Sequence, residues 1–390
     1  MKAEYDLAKL KSRKNPYASK LKKPVTIRLS EDVVEYFKGM AIEAGVPYQS
    51  LINLYLRDCG AEGAGGRRIP WGHTMHTEPV NTASDTARRS MPAPVRWWQG
   101  WGPLLLAPWL VPLLAPGDWP RWAIMWLLAF TIFSGCKWLT WRRTPGCGQP
   151  MWRHLGYLFL WPGLDARRFL EPDRLLPPRP PERAEWLAAV GKLTAGLVIL
   201  FGLVRLLPPE YSSLVGWAGM LGIVMVLHFG LFHLLSCAWR SAGVEAKPLM
   251  HRPLAATSLA DFWGRRWNTA FRDFTHRFLF RPLTPLLGTV GAVLAGFTFS
   301  GLVHDAVISW PAGGGYGRPT AFFMVQGVGL LAERSRAGRA LGLGGGARGR
   351  LFTIALVLGP AGLLFHRPFV VGVVVPFLQA MGAVECRKIS

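Results

Sequence analysis

The chain has 390 residues, half of them hydrophobic, with 18 Trp and only 17% charged. Long apolar stretches with charge confined to the gaps exclude an ordinary soluble globular domain. The net charge of +22 is not a nucleic-acid signature by itself. Up to Arg96 there are 16 Lys and Arg against 10 Asp and Glu. Most of the excess therefore falls beyond it, in loops, where it suits the positive-inside rule and anionic groups at a membrane surface. Five cysteines, at 59, 136, 147, 237 and 386, make no CxxC or other metal spacing, so neither a disulfide framework nor a metal site is expected. The first residues are charged rather than apolar, and no cleavable signal peptide is expected.

Residues 1–60 are polar and predict a small folded module. Val25, Ile27 and Leu29 alternate with Thr26 and Arg28, as in a short amphipathic strand. Ser30 followed by Glu31 and Asp32 opens a helix with a cap and an acidic first turn, and Gly45 ends it. Pro47 suits the first turn of a second helix, which runs to about Arg57. The segments KLKKPVTIRLSEDVVEYFK and AGVPYQSLINLYLRD resemble the antitoxin members of the ribbon-helix-helix (CopG-like) family. That resemblance implies a dimer whose paired strands enter the DNA major groove. Thr26 and Arg28 would then read base edges, with Lys22 and Lys23 on phosphate. The helix start near Tyr48 to Ser50 could hold a further phosphate. The alternative is a dimerisation module without DNA activity.

Residues 61–96 are Gly-rich and polar with almost no apolar periodicity, and are expected to be a disordered linker. Residues 97–390 are membrane-like. About eight segments are long enough, or nearly so, to cross roughly 30 Å of hydrocarbon. They lie near 98–116, 121–141, 186–207, 214–239, 284–310, 319–332, 351–366 and 369–384, the sixth and the last two being short. The stretch 151–164 is apolar but too short to cross, and is expected at the interface. The fold class expected is thus an all-α polytopic membrane protein of about eight spans behind a small ribbon-helix-helix module. With that count the arginine-rich gaps fall on one side, which should be cytoplasmic together with both termini, in a bacterial inner membrane.

Two segments hold candidate chemistry. In Ser258-Leu-Ala-Asp-Phe-Trp-Gly-Arg-Arg-Trp-Asn268, Ser258 with Asp261 resembles a helix-capping box. The aromatic residues suit an interfacial helix. On the residues alone, an ordinary interfacial helix explains this segment equally well. In Phe297-Thr-Phe-Ser-Gly-Leu-Val-His-Asp305, His304 and Asp305 interrupt an apolar run. Ionisable groups inside a span cost of order 3 kcal/mol and are candidates for function. Ser300 lies one turn earlier on the same face. His228 and His233 share a span but point about 140° apart, so they are poor joint metal ligands. They are expected to pack or to line an internal chamber, and His366 is expected to be structural.

SLADFWGRRWN followed by FTFSGLVHD resembles the wax-synthase branch of the membrane-bound O-acyltransferases. WPGLDARRFL, HFGLFHLLSCAWR and the tail from Gly314 to Ala383 add to the likeness. The resemblance implies that His304 is the catalytic base and that Asn268 is the motif asparagine. Asp305 stands where many relatives have Glu. His304 would take a proton from an acceptor hydroxyl, whose oxygen attacks the thioester of an acyl-CoA, the co-substrate, with no cofactor required. Asn268 would orient a reactant or support the oxyanion. Trp267, Ser300 and Asp305 are expected beside the substrates. Arg265 and Arg266 would hold CoA phosphates, unless their role is only to set topology. The acceptor is expected to be a lipophilic alcohol or another hydroxyl compound.

Three functions compete at this point: an O-acyltransferase, a membrane-tethered DNA-binding regulator, and a transporter. A fourth possibility is two separate activities joined by gene fusion or read-through, since Met91 stands just before the membrane-like region.

Overall fold

The computed structural model describes residues 29, 31–44, 47–63, 99–144, 149–170 and 178–384. The chain divides into two units, Met1–Ala87 and Arg88–Ser390.

In the first unit, α1 (Glu31–Ala44) and α2 (Tyr48–Gly63) form the expected helix pair. Phe37 is buried between them and meets Tyr55 edge-on at 5.9 Å. The Pro47 carbonyl accepts the Ser50 N–H at 2.9 Å, which opens α2. The second helix continues to Gly63, a few residues past the expected end, because Ala61 and Glu62 are good helix formers with no proline to stop them. Except for Leu29, the expected strand lies outside the described residues. So do Lys22, Lys23, Thr26 and Arg28, and most of the expected linker.

The second unit is helical, with no strand among the described residues. Helices occupy all eight apolar segments. They are α3 (Trp101–Leu114), α4 (Arg121–Arg142), α6 (Arg183–Leu206), α7 (Ser212–Ser241), α9 (Thr269–Ala312), α10 (Arg318–Arg334), α11 (Gly346–Leu364) and α12 (Arg367–Ala380). Five of them, α4, α6, α7, α9 and α11, are long and apolar enough to cross a membrane. The loops carry several shorter helices, among them α5 (151–160) and α8 (259–266). At ten residues, α5 spans about 15 Å, too short to cross. It exposes Met151, Trp152 and Phe159.

The outer faces are apolar. Leu106, Trp109 and Leu113 of α3 are all more than two-thirds exposed, as lipid-facing side chains should be. Inside, one core gathers Tyr157, Trp161, Phe169, Phe274 and Phe278, and a second gathers Val215, Ile308, Val370, Val373 and Leu378. Lys137 of α4 is buried in the first core. It donates to the carbonyls of Trp161 (2.9 Å) and Gly163 (2.7 Å), and lies 3.2 Å above the Tyr157 ring. The lysine thereby ties the Trp-Pro-Gly-Leu-Asp segment to α4.

Two glycines place the candidate site. A straight 44-residue α9 would be about 66 Å long, roughly twice the hydrocarbon thickness. Gly288, at φ 65° and ψ 174°, breaks it. The part beyond Gly288 carries His304. One turn before His304, Gly301 lets α10 come close: a Cβ there would lie 2.6 Å from the Thr320 Cα.

Candidate active site

His304 ends the regular part of α9, and a wide helical turn follows at Asp305–Ser309. Such turns re-aim side chains and are common at functional sites. The His304 Nδ1 lies 2.7 Å from the Ser300 carbonyl oxygen. A carbonyl only accepts, so Nδ1 carries the proton and donates it. In the neutral ring, Nε2 is then the basic nitrogen. The ring packs against Phe323 of α10, with centroids 4.6 Å apart.

Ser300 serves His304 through its backbone. Its hydroxyl turns to the Gly296 carbonyl of the same helix, at 3.0 Å. Asp305 faces the start of α10. Its carboxylate accepts from Ser309 (2.8 Å), the Gly317 N–H (2.8 Å), the Thr320 N–H (3.1 Å) and the Thr320 hydroxyl. The Ser309 hydroxyl lies 3.1 Å from the His366 Nε2. Because the Phe369 N–H donates to the His366 Nδ1 at 3.3 Å, the His366 Nε2 carries the proton and donates to Ser309. His366 is fully enclosed in this packing role.

The motif segment folds as α8, capped as expected. Ser258 Oγ accepts the Asp261 N–H at 3.0 Å, and the Asp261 carboxylate accepts the Thr257 N–H at 3.4 Å. Asp261 also gathers both arginines, Arg265 at 3.2 Å and Arg266 at 2.5 Å, on different carboxylate oxygens. Arg265 is 78% exposed, whereas Arg266 is largely covered and also donates to the Arg252 carbonyl. Trp267 stacks on Phe262 at 5.8 Å and on His228 at 6.4 Å, with interplanar angles of 10° and 13°. Asn268 takes a left-handed conformation, φ 41° and ψ 60°, which Asn tolerates better than most residues. Its Oδ1 accepts the Phe271 N–H at 3.2 Å and caps α9.

The link between this motif and His304 runs through rings. Trp263 packs on Phe297 of α9 and on Phe323 of α10, and Phe323 packs on His304. One face of α10 supports the whole assembly. Below Phe323, the Gln326 carbonyl accepts the Trp263 Nε1–H at 3.3 Å, and its amide donates to the Leu356 carbonyl at 2.7 Å. Two turns further, the buried Glu333 accepts the Leu259 N–H (2.6 Å) and the Ala260 N–H (3.3 Å) at the start of α8. Phe323, Gln326 and Glu333 are absent from the residues expected at the site. Their signal was available: a Gln and a Glu in register with a Phe on one face of a short apolar helix.

His228 and His233 diverge as expected. His233 faces Glu185 at 3.2 Å, and Lys192 Nζ lies 3.3 Å from its Nδ1. Ligand atoms of Glu185, His233 and Cys237 lie within 4.8 Å of one another. The donor set suits an ion-pair network better than a metal. Arg240 binds Glu185 and lies 3.6 Å from the Cys237 sulfur, and the Lys192 ammonium holds the nitrogen that a metal-bound histidine would need as a donor to an acceptor.

Fold and site define a polytopic helical membrane protein with a histidine held in its interior beside an aromatic, capped motif. Residues 246–325 match the model of the Membrane bound O-acyl transferase family, a stretch that holds Ser258, Asn268, His304, Asp305 and Phe323. Residues 1–59 match the model of the BrnA antitoxin of type II toxin-antitoxin system. The chain is 33% identical over 107 residues to the long-chain-alcohol O-fatty-acyltransferase of Simmondsia chinensis, covering 23% of this chain and 28% of that protein. It is 32% identical over 139 residues to the probable long-chain-alcohol O-fatty-acyltransferase 7 of Arabidopsis thaliana, covering 32% and 40%. It is 32% identical over 71 residues to the acyl-CoA–sterol O-acyltransferase 1 of the same plant, covering 16% and 21%. These matches span less than half the length of each relative.

Proposed function

We propose that residues 97–390 transfer an acyl group from acyl-CoA to a hydroxyl acceptor, as a lipid O-acyltransferase of the wax-ester-synthase kind. The observation that carries this reading is the His304 Nδ1 donating to the Ser300 carbonyl, which leaves Nε2 as the base. Nε2 accepts the acceptor's hydroxyl proton. The oxygen attacks the thioester carbon, the C–S bond breaks, and the departing CoA thiolate takes the proton back from the imidazolium. Asn268 spends its Oδ1 on the Phe271 N–H, which leaves its NH2 as the end able to donate to the oxyanion. The printed names of the relatives support a long-chain alcohol as acceptor, with a sterol as the next candidate. The basic loops favour a bacterial inner-membrane protein with both termini in the cytoplasm.

The test is ester formation by the full chain in lipid nanodiscs, from radiolabelled palmitoyl-CoA and hexadecanol. His304→Ala abolishes it. Ester formation that survives His304→Ala overturns the mechanism.

A second reading concerns residues 1–60 alone and is favoured by the antitoxin match. This module binds DNA as a ribbon-helix-helix dimer, with Thr26 and Arg28 on bases and Lys22 and Lys23 on phosphate. It acts either as a membrane-tethered regulator or independently of the acyltransferase through fusion or read-through. A gel-shift with the full chain and its own promoter DNA at low salt tests it. No shift removes this reading.

A further inference from the structure

Three cations and one carboxylate meet where the last turns of α7 pass the first turns of α6. Glu185 of α6 accepts from Arg240 and lies 3.2 Å from the His233 Nε2. Lys192, also of α6, lies 3.3 Å from the His233 Nδ1. An ammonium only donates, so Nδ1 accepts, Nε2 carries the proton, and the ring is neutral. Arg252, in the loop before α8, lies near enough to act on Lys192 with like charge. Glu185 offsets one of the charges on Lys192, Arg240 and Arg252, and two remain. Among the described residues no ion pair reaches Lys192 or Arg252. Two other carboxylates of the same loop are already taken, Glu245 by Lys247 and Asp261 by Arg265 and Arg266.

Both cations stand where a charge is costly or constrained. Lys192 is nine residues beyond Arg183, where α6 begins, which is about 14 Å along the helix. A lysine inside an apolar span calls for an anion or water to meet it. Arg252 holds a left-handed backbone, φ 44° and ψ 60°, which is uncommon outside Gly and Asn. Two hydrogen bonds join this turn to the motif helix: the Arg252 carbonyl accepts from Arg266 at 3.2 Å, and the His251 N–H donates to the Arg266 carbonyl at 2.8 Å. Both side chains are open to a ligand, Lys192 half-buried and Arg252 exposed. An ammonium and a guanidinium on two elements suit the several oxygens of one phosphate group. A carboxylate would offset one of the two excess charges, whereas a phosphate monoester carries nearly two.

We propose that Lys192 and Arg252 bind a phosphate group at the end of α6 and α7 where the basic loops gather. Two sources bring one there. The nucleotide end of the acyl donor rests on the acyltransferase reading above, and a phospholipid headgroup does not.

The test uses the full chain in nanodiscs of phosphatidylcholine and phosphatidylglycerol. Wild type is compared with Lys192→Met and with Arg252→Gly, which keeps the left-handed backbone. Titration calorimetry reads the binding of CoA and of pantetheine, which has no phosphate. Native mass spectrometry counts the phosphatidylglycerol retained. Each variant binds CoA about 10-fold more weakly, as for one lost hydrogen bond to a charged group, and pantetheine as wild type does. Unchanged CoA binding with loss of retained phosphatidylglycerol in both variants assigns the phosphate to a headgroup, and the proposal stands. Unchanged CoA binding with unchanged lipid retention overturns it. Equal weakening of CoA and pantetheine with unchanged lipid retention overturns it too, because the phosphate then makes no difference. The ligand-free Lys192→Met melts no lower than wild type, since an unpaired cation has left the span. A lower melt with unchanged binding and retention assigns Lys192 a structural bond to His233 and overturns the proposal. Ester formation is followed in parallel. A wild-type chain that makes no ester, while both variants lose lipid, removes the acyltransferase reading and leaves the phosphate site.

Discussion

His304 and Phe323 meet with ring centroids 4.6 Å apart, and the same Phe323 packs at 5.8 Å on Trp263 of the motif helix. One side chain of α10 thus fixes the distance between the two segments that the chemistry needs. The consequences can be tested residue by residue.

Removing the base should cost rate and little stability. His304→Ala should lower ester formation by at least about 100-fold, the lower end for a lost general base. His304→Gln should do the same, since an amide does not take the proton. The detergent melting temperature should stay close to wild type. Turnover measured with radiolabelled palmitoyl-CoA, alongside a melt, checks both.

Phe323→Ala should destabilise the membrane unit by about 3–5 kcal/mol, because Phe323 is buried and its removal leaves a cavity. Phe323→Leu should recover most of the stability and less of the activity, since the ring against His304 is lost. A melt and a donor titration on the two variants separate packing from alignment.

Glu333→Ala should strand the Leu259 and Ala260 N–H groups in a buried setting. The expected cost is about 1–3 kcal/mol, with lowered activity as α8 loosens. Glu333→Gln keeps an acceptor and should retain more of both. Equal behaviour of the two variants would mean that the carboxylate's acceptor role is unimportant.

Asp305→Ala removes the acceptor for Gly317, Thr320 and Ser309 at once and should uncouple the start of α10 from α9. Faster hydrogen exchange at Gly317 and Thr320, with a lower melting temperature, is the expected result. Unchanged exchange there would show that other contacts hold the junction.

The two arginines should differ. Arg265→Ala removes an exposed ion pair and should cost about 0–1 kcal/mol. Arg266→Ala leaves the enclosed Asp261 without its closer partner and opens the contact to Arg252, so it should cost more. If both held CoA phosphates, both variants would raise KM for palmitoyl-CoA alike. The Asp261 pairing predicts a rise only with Arg266→Ala.

The sequence by itself determined where the helices lie, because membrane spans need long apolar runs, and it located the motif and His304, because polar residues in such runs are conspicuous. The Ser258 cap and the divergence of His228 from His233 also followed, since both depend only on local helical geometry. Tertiary structure decided the rest. Periodicity reports which residues share a face, but not which helix that face meets. Gln326 and Glu333 therefore became parts of the motif's support only once α10 was placed against α8. For the same reason Ser300 serves through its carbonyl and Asp305 turns to Gly317 and Thr320. His304 remains the centre of the site because its Nδ1 is occupied from within its own helix while Phe323, from another, sets where its ring can point.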